Sequence, residues 1–116
     1  MLQIHDLTQD AALIERGRLA NNFWTRLKGL MGVRRLAPGD GLLIAPAKQI
    51  HTHWMLISID VLYVDETDRV VDWDERMKPW KFGRLRKKSQ YVVELPAGTI
   101  AEKSVQVGDQ LHVDYH

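Results

Sequence analysis

The chain has 116 residues, 45% hydrophobic and 27% charged, with 16 Lys and Arg against 15 Asp and Glu. A formal net charge of +1 excludes the global field that draws basic proteins onto nucleic acid. The absence of cysteine removes disulfides, thiolate catalysis and thiolate-based metal sites, and it suits a reducing compartment.

Leu2 and Ile4 alternate with polar residues, which predicts a short first strand ending near Asp6. Thr8-Gln9-Asp10 is a turn, and Leu13 to Leu19 is a second strand, because Gly17 and Asn21-Asn22 weaken a long helix there. Asn22 is a helix N-cap. Phe23, Leu27, Leu30 and Met31 then fall at helical spacing and predict a buried stripe, with Gly32 just past the helix end and Trp24 and Lys28 at its edge. Pro38-Gly39-Asp40-Gly41 turns the chain into a short strand, Leu42 to Ile44, which Pro46 interrupts.

Gln49 to Asp65 is the longest apolar, β-branched and aromatic run, and it reads as two core strands joined near Ile57-Ser58. Alternation puts His51 and His53 on one face of the first strand and Ile50, Thr52 and Trp54 on the other. In the second, Ile59, Val61 and Tyr63 oppose Asp60, Leu62 and Val64. The polar connection Asp65 to Asp68 leads into an antiparallel partner, Arg69 to Trp73. Arg76 to Lys88 is a loop with seven basic residues and no acid. Tyr91 to Leu95 is a strand, Thr99 to Glu102 has the spacing of a capping box, and Val107-Gly108-Asp109 turns into a last strand, Leu111 to Tyr115.

This pattern predicts a mainly β (α+β) fold: a compact antiparallel sandwich or barrel of about seven or eight short strands, with one or two short helices. Residues 1–116 are expected to form a single domain. No apolar run approaches the ~20 residues that span a bilayer. The opening MLQIHDL carries Asp6 and no basic-then-apolar pattern, so it is not read as a secretory signal, and a soluble, cytoplasmic location is expected.

Five segments carry a resemblance when taken in order: Arg26 to Gly32, Trp54-Met55, Ile59-Asp60-Val61, Glu94 to Thr99, and Val107-Gly108-Asp109. Together they resemble the domain-of-unknown-function family 192, also called uncharacterised protein family 0127, from about Arg26 to Val113. The resemblance implies a compact, mostly β, jelly-roll-like domain, and it implies no biochemical role.

Two functional readings follow from the residues. The first is a binding module, without catalysis or cofactor, for an anionic polymer or an acidic protein surface. Arg76, Lys78, Lys81, Arg84, Arg86, Lys87 and Lys88 interleave with Trp80 and Phe82, a mixture suited to phosphates and stacked rings. The alternative is a metal centre on His51 and His53, with His112 or Asp60 as a third ligand. Trp54, Leu30 and Met31 are assigned to packing. Asp60 is assigned a structural role, accepting backbone N–H bonds at a strand crossing.

Overall fold

The computed structural model describes residues 1–116. Seven strands make one curled sheet: β1 (Leu2–Asp6), β2 (Ala11–Ala20), β3 (Asp40–Ile44), β4 (Ile59–Val64), β5 (Val70–Met77), β6 (Tyr91–Pro96) and β7 (Leu111–Tyr115). Two short helices, α1 (Phe23–Lys28) and α2 (Thr99–Glu102), lie in the connections. The strand order is β5-β4-β6-β3-β2-β1-β7. The outer strands approach each other at one end, where Arg69 bridges Gln110 and the Val70 N–H donates to the Asp109 carbonyl at 3.0 Å. The result is a half-barrel, in agreement with the mainly β class. One pair departs from the antiparallel expectation: β2 and β3 run parallel. Residues 21–39, which include α1, provide the long crossover that a parallel pair requires.

Every residue of β4 is buried, because both faces of the sheet are covered. Leu62 and Val64 join the core inside the curl with Leu2, Ile4, Val93 and Leu95. Ile59, Val61 and Tyr63 join a second core on the outer face with Leu30, Ile50 and Met55. The alternation predicted for this strand is the one observed.

Asp60 breaks the apolar run of β4 and is fully buried. Its Oδ1 accepts the Arg76 N–H at 2.8 Å, and its Oδ2 accepts the N–H groups of Gly98 at 3.1 Å and Ile100 at 2.8 Å. The last two belong to the start of α2. Thr99 is not the N-cap that the capping-box spacing predicts; Gly98 holds that position at φ 95°, with no side chain to cap the helix. A carboxylate from a distant strand takes over the cap's work of satisfying free N–H groups.

Three expectations are corrected here. The Asn22 cap is present and forms a box with Thr25, but α1 ends at Lys28 and buries none of its residues. Phe23 and Leu27 stay exposed, and Leu30 reaches the core from beyond the helix end, with Met31 half-buried beside it. Gly29 at φ 48°, rather than Gly32, closes the helix. A helix this short has no second turn, so its stripe never forms one face.

The second correction concerns Gln49 to Met55, which is not a strand. Thr52 is tied to the basic loop instead: its N–H donates to Lys81 O at 2.8 Å, its hydroxyl to Lys78 O at 2.6 Å, and its carbonyl accepts the Trp80 N–H at 2.9 Å. The chain then turns, with Trp54 at φ 67°, so this side chain is 63% exposed rather than part of the core.

The third is the loop itself. Arg76 and Met77 extend β5, and the rest is pinned to residues 48–52 through Arg86 N–H to Lys48 O and Gly83 N–H to Ile50 O.

Candidate functional site

The register across the sheet puts Arg18, Leu42, Glu94, Val61 and Asp74 in one row, on β2, β3, β6, β4 and β5. Cross-strand partners share a face, so Glu94 stands on the outer face between two aliphatic neighbours. It is 2% exposed, and its Oε1 has no hydrogen-bond partner. Burial pushes its carboxyl up to about 8, against a small opposing pull from the Arg18 charge.

Glu94 lines a pocket of about 440 Å³. α1 and the turn after it, Arg26 to Met31, form one wall, and Pro46 to His51 with Met55 form the other. Leu30, Ile44, Ile50 and Met55 belong to the apolar part of the lining, and Lys48, Gln49 and His51 add polar groups to it. Gly29 passes close to the carboxyl: a Cβ there would stand 3.8 Å from Glu94 Oε1. The glycine that ends α1 thus lies against this carboxyl, whose Oε1 is itself closed off from solvent. Arg26 and Lys28, in the last turn of α1, bring two cations to the wall, and neither is in a salt bridge. Lys48 is held differently, its ammonium donating to the carbonyls of Lys87 at 2.8 Å and Ser89 at 2.9 Å.

The histidines sit at the pocket's edge, but not as a strand pair. His51 lines the pocket and bridges to Phe82. The His53 N–H donates to His51 Nδ1 at 3.2 Å, which fixes that nitrogen as an acceptor and occupies its lone pair. Partial burial, and then the neighbouring His53, hold His51 below the ordinary imidazole range. His53 packs edge-on against Phe82 at 4.6 Å and Trp80 at 5.5 Å, and Trp80 meets Trp54 at 4.7 Å. These rings form an exposed ridge beside the pocket. No third His, Asp or Glu joins the two histidines in a metal-sized group. His112 is paired with His5 between β7 and β1, far along the sheet order, and Asp60 spends its carboxylate on backbone.

The basic loop divides its cations. Arg86 is spent internally: Nε donates to Asp72 at 2.9 Å, and the terminal nitrogens donate to the two oxygens of Asp74 at 2.9 and 3.2 Å. Arg84 also meets Asp72, at 3.3 Å. Against the burial that would raise it, Arg86 holds Asp72 below the usual carboxylate range. Lys87 and Lys88 face a shallow depression shared with Asp65 and Glu66. Lys78 and Lys81 remain exposed beside Trp80 and Phe82. The thirteen-residue basic cluster read from the sequence is thus three separate surfaces, and Arg86 is not available to a ligand.

Sequence reasoning missed Glu94, Arg26 and Lys28. In VVELP the glutamate looks like an ordinary outward position on a strand. The available signal was the apolar stretch around it, since a carboxylate inside a doubly covered strand must find a partner.

Comparison with known proteins agrees with this architecture. The family model DUF192, described as "Uncharacterized ACR, COG1430", matches residues 6–113. A UPF0127 protein of Thermococcus sibiricus is 33% identical over 104 residues, covering 83% of this chain and 64% of the relative. The UPF0127 protein TK1120 of Thermococcus kodakarensis is 35% identical over 97 residues, covering 79% and 60%. The chain therefore spans a little under two-thirds of the length of these relatives. Among solved structures, a protein of unknown function from Novosphingobium aromaticivorans superposes with a TM-score of 0.83 at 19% identity, covering 96% of this chain and 82% of that one. A Sinorhizobium meliloti protein superposes with a TM-score of 0.84 at 23% identity, covering 97% and 91%. At those identities the likeness is one of fold. Three of the five segments that carry the family resemblance meet at the Glu94 pocket, through Arg26 to Met31, Met55 and Glu94. The chain belongs to the DUF192 (UPF0127) family of uncharacterised proteins.

Proposed function

We propose that this chain is a binding module for an anionic ligand, and that the ligand enters the pocket between α1 and residues 46–51. The observation that supports the reading is the pair Arg26 and Lys28: two cations without salt-bridge partners on the wall of a pocket with a mixed apolar and polar lining. Such a pocket, in which apolar side chains and several polar groups converge, has the usual size of a small-ligand site. The sign of the ligand expected from the sequence is kept, and its place moves from the basic loop to the mouth beside it. Phe82, bridged to His51 of the lining, and Trp80 continue from that edge as the ring ridge. The cysteine-free composition supports a cytoplasmic setting for the module.

The test is titration with inorganic phosphate and 3-phenylpropionate at low and moderate salt, followed by NMR shifts of Gly29 and Met31. Binding that weakens with salt, and that is lost in Arg26→Ala/Lys28→Ala at unchanged melting temperature, supports the reading. Shifts confined to other surfaces, or none at low salt, remove it.

The ridge favours a second reading of the same sign. Trp54 and Trp80 both hold positive φ, 67° and 65°, while 63% and 54% exposed. Bulky residues kept in that conformation and turned outward suit stacking on an anionic polymer. Quenching of tryptophan fluorescence by a single-stranded oligonucleotide, absent in Trp80→Ala, is the outcome that supports it.

A further inference from the structure

We propose, building on the pocket reading above, that the site takes a small zwitterion whose acid group meets Arg26 and Lys28 and whose ammonium group sits on the Glu94 carboxylate. Glu94 lacks any partner in the free fold. Its row neighbours are Leu42 and Val61, its Oε1 receives no hydrogen bond, and the Arg18 cation it senses belongs to an exposed residue two strands away. A carboxyl group held in hydrocarbon without a donor is costly, and a leucine or glutamine at this strand position would avoid that cost. Placed at the pocket, the group is unfavourable to the free fold and useful to a ligand that brings the missing donor.

The charges select the kind of donor. The cations without a partner lie on the α1 wall, the Lys48 ammonium of the opposite wall being held by two carbonyls, and Glu94 is the only acid among the lining residues. A ligand with a negative charge alone satisfies the wall and is repelled by an ionised Glu94. A ligand carrying an amine as well satisfies both ends. Oε1 is closed to solvent in the free fold, so the ammonium reaches the carboxyl through a rotation of the Glu94 side chain or a small shift of the adjoining Gly29 turn.

The alternative is that Glu94 stays protonated and donates to a ligand carbonyl or acid, and pH separates the two. Because burial pushes Glu94 up to about 8, the free protein near pH 7 holds mostly the acid form. An entering ammonium must displace that proton to solvent, whereas an acceptor must keep it. Affinity for a zwitterion therefore rises with pH below 8, and affinity for a pure acid falls as pH passes it.

The experiment titrates the full chain by NMR at low salt and pH 6, 7 and 8. The probes are phenylalanine, leucine, glutamate and phosphoethanolamine, with the amine-free partners 3-phenylpropionate, 4-methylpentanoate, glutarate and ethyl phosphate. The expected result is that at least one amine form binds roughly tenfold or more tighter than its partner, tightening about tenfold from pH 6 to 7 and about fivefold from pH 7 to 8 as the one proton is released. Glu94→Gln should remove both the preference and the slope, with Glu94→Leu as a second variant and thermal melts confirming that each folds. If the amine-free partners bind as well or better, or if the slope survives in Glu94→Gln, the zwitterion inference is overturned while the anion pocket stands. If no member of any pair binds, both readings fall.

Discussion

The guanidinium of Arg86 lies 3.9 Å over the ring of Tyr63 and joins that tyrosine to the same carboxylate. Tyr63 donates its hydroxyl to Asp74 Oδ2 at 2.8 Å, and Arg86 takes both oxygens of Asp74 in a fork. The ring gives the cation an electron-rich face, and the acids neutralise it. A residue that reads as one of seven solvated cations is the post to which the loop is tied.

Arg86→Ala should therefore destabilise the fold by about 1–3 kcal/mol, a figure kept modest because Asp72 and Asp74 are partly solvated. Arg86→Lys should recover less than half, since a point charge cannot reproduce the fork. Lys87→Ala and Lys88→Ala should stay within about 0.5 kcal/mol of wild type. Urea melts of the four variants check the contrast.

Asp60→Ala leaves three backbone N–H groups without an acceptor and should cost about 2–4 kcal/mol. Asp60→Asn should fall between the two, because one oxygen can serve only one side and the amide N–H₂ then faces a donor. Hydrogen exchange at Gly98 and Ile100 should accelerate in both variants; unchanged protection there would show that α2 does not depend on this cap.

Stability should depend on pH through Glu94. Its folded carboxyl titrates at about 8, above the ordinary 4.5, so the folded state binds the proton more tightly. That contribution is complete below 4.5 and is lost as pH rises through about 8, at roughly 1.4 kcal/mol per unit across the window. Asp6, raised to about 6 by burial and by the neighbouring Asp109 carboxylate, acts in the same direction at lower pH. Denaturation at pH 6.5, 7.25 and 8, read as the difference between wild type and Glu94→Gln, isolates Glu94 from the small opposite contribution of His51. Wild-type stability should fall across this series relative to Glu94→Gln, which should stay level or rise slightly.

Leu30→Ala should cost about 2–4 kcal/mol by opening a cavity in the outer core, while Leu27→Ala should cost under about 0.5 kcal/mol. Trp54→Gly should be neutral or stabilising, since glycine adopts the positive φ at this position without strain. Equal losses at Leu27 and Leu30 would restore the buried helical stripe.

What the sequence determined by itself was whatever depends on neighbours a few residues away. Alternation along Ile59 to Val64 placed each side chain of β4 on its correct face, and Asp65 to Asp68 formed the expected turn, with Asp65 Oδ1 accepting from Thr67 and Arg69. The strand count, the Asn22 cap and the mainly β class follow from the same short-range rules. Only the tertiary structure decided which groups met across long intervals. Thr52 chose Lys78 and Lys81 over a strand partner, which turned Trp54 outward and made the histidines part of a ring cluster rather than a strand face. Asp72 and Asp74 withdrew Arg86 from the loop's free charge. Glu94 gained its character from Leu42 and Val61 on two other strands and from a helix that ends at Gly29. The cost of an unpaired charge depends on the medium around it, and folding assembles that medium from residues distant in the chain.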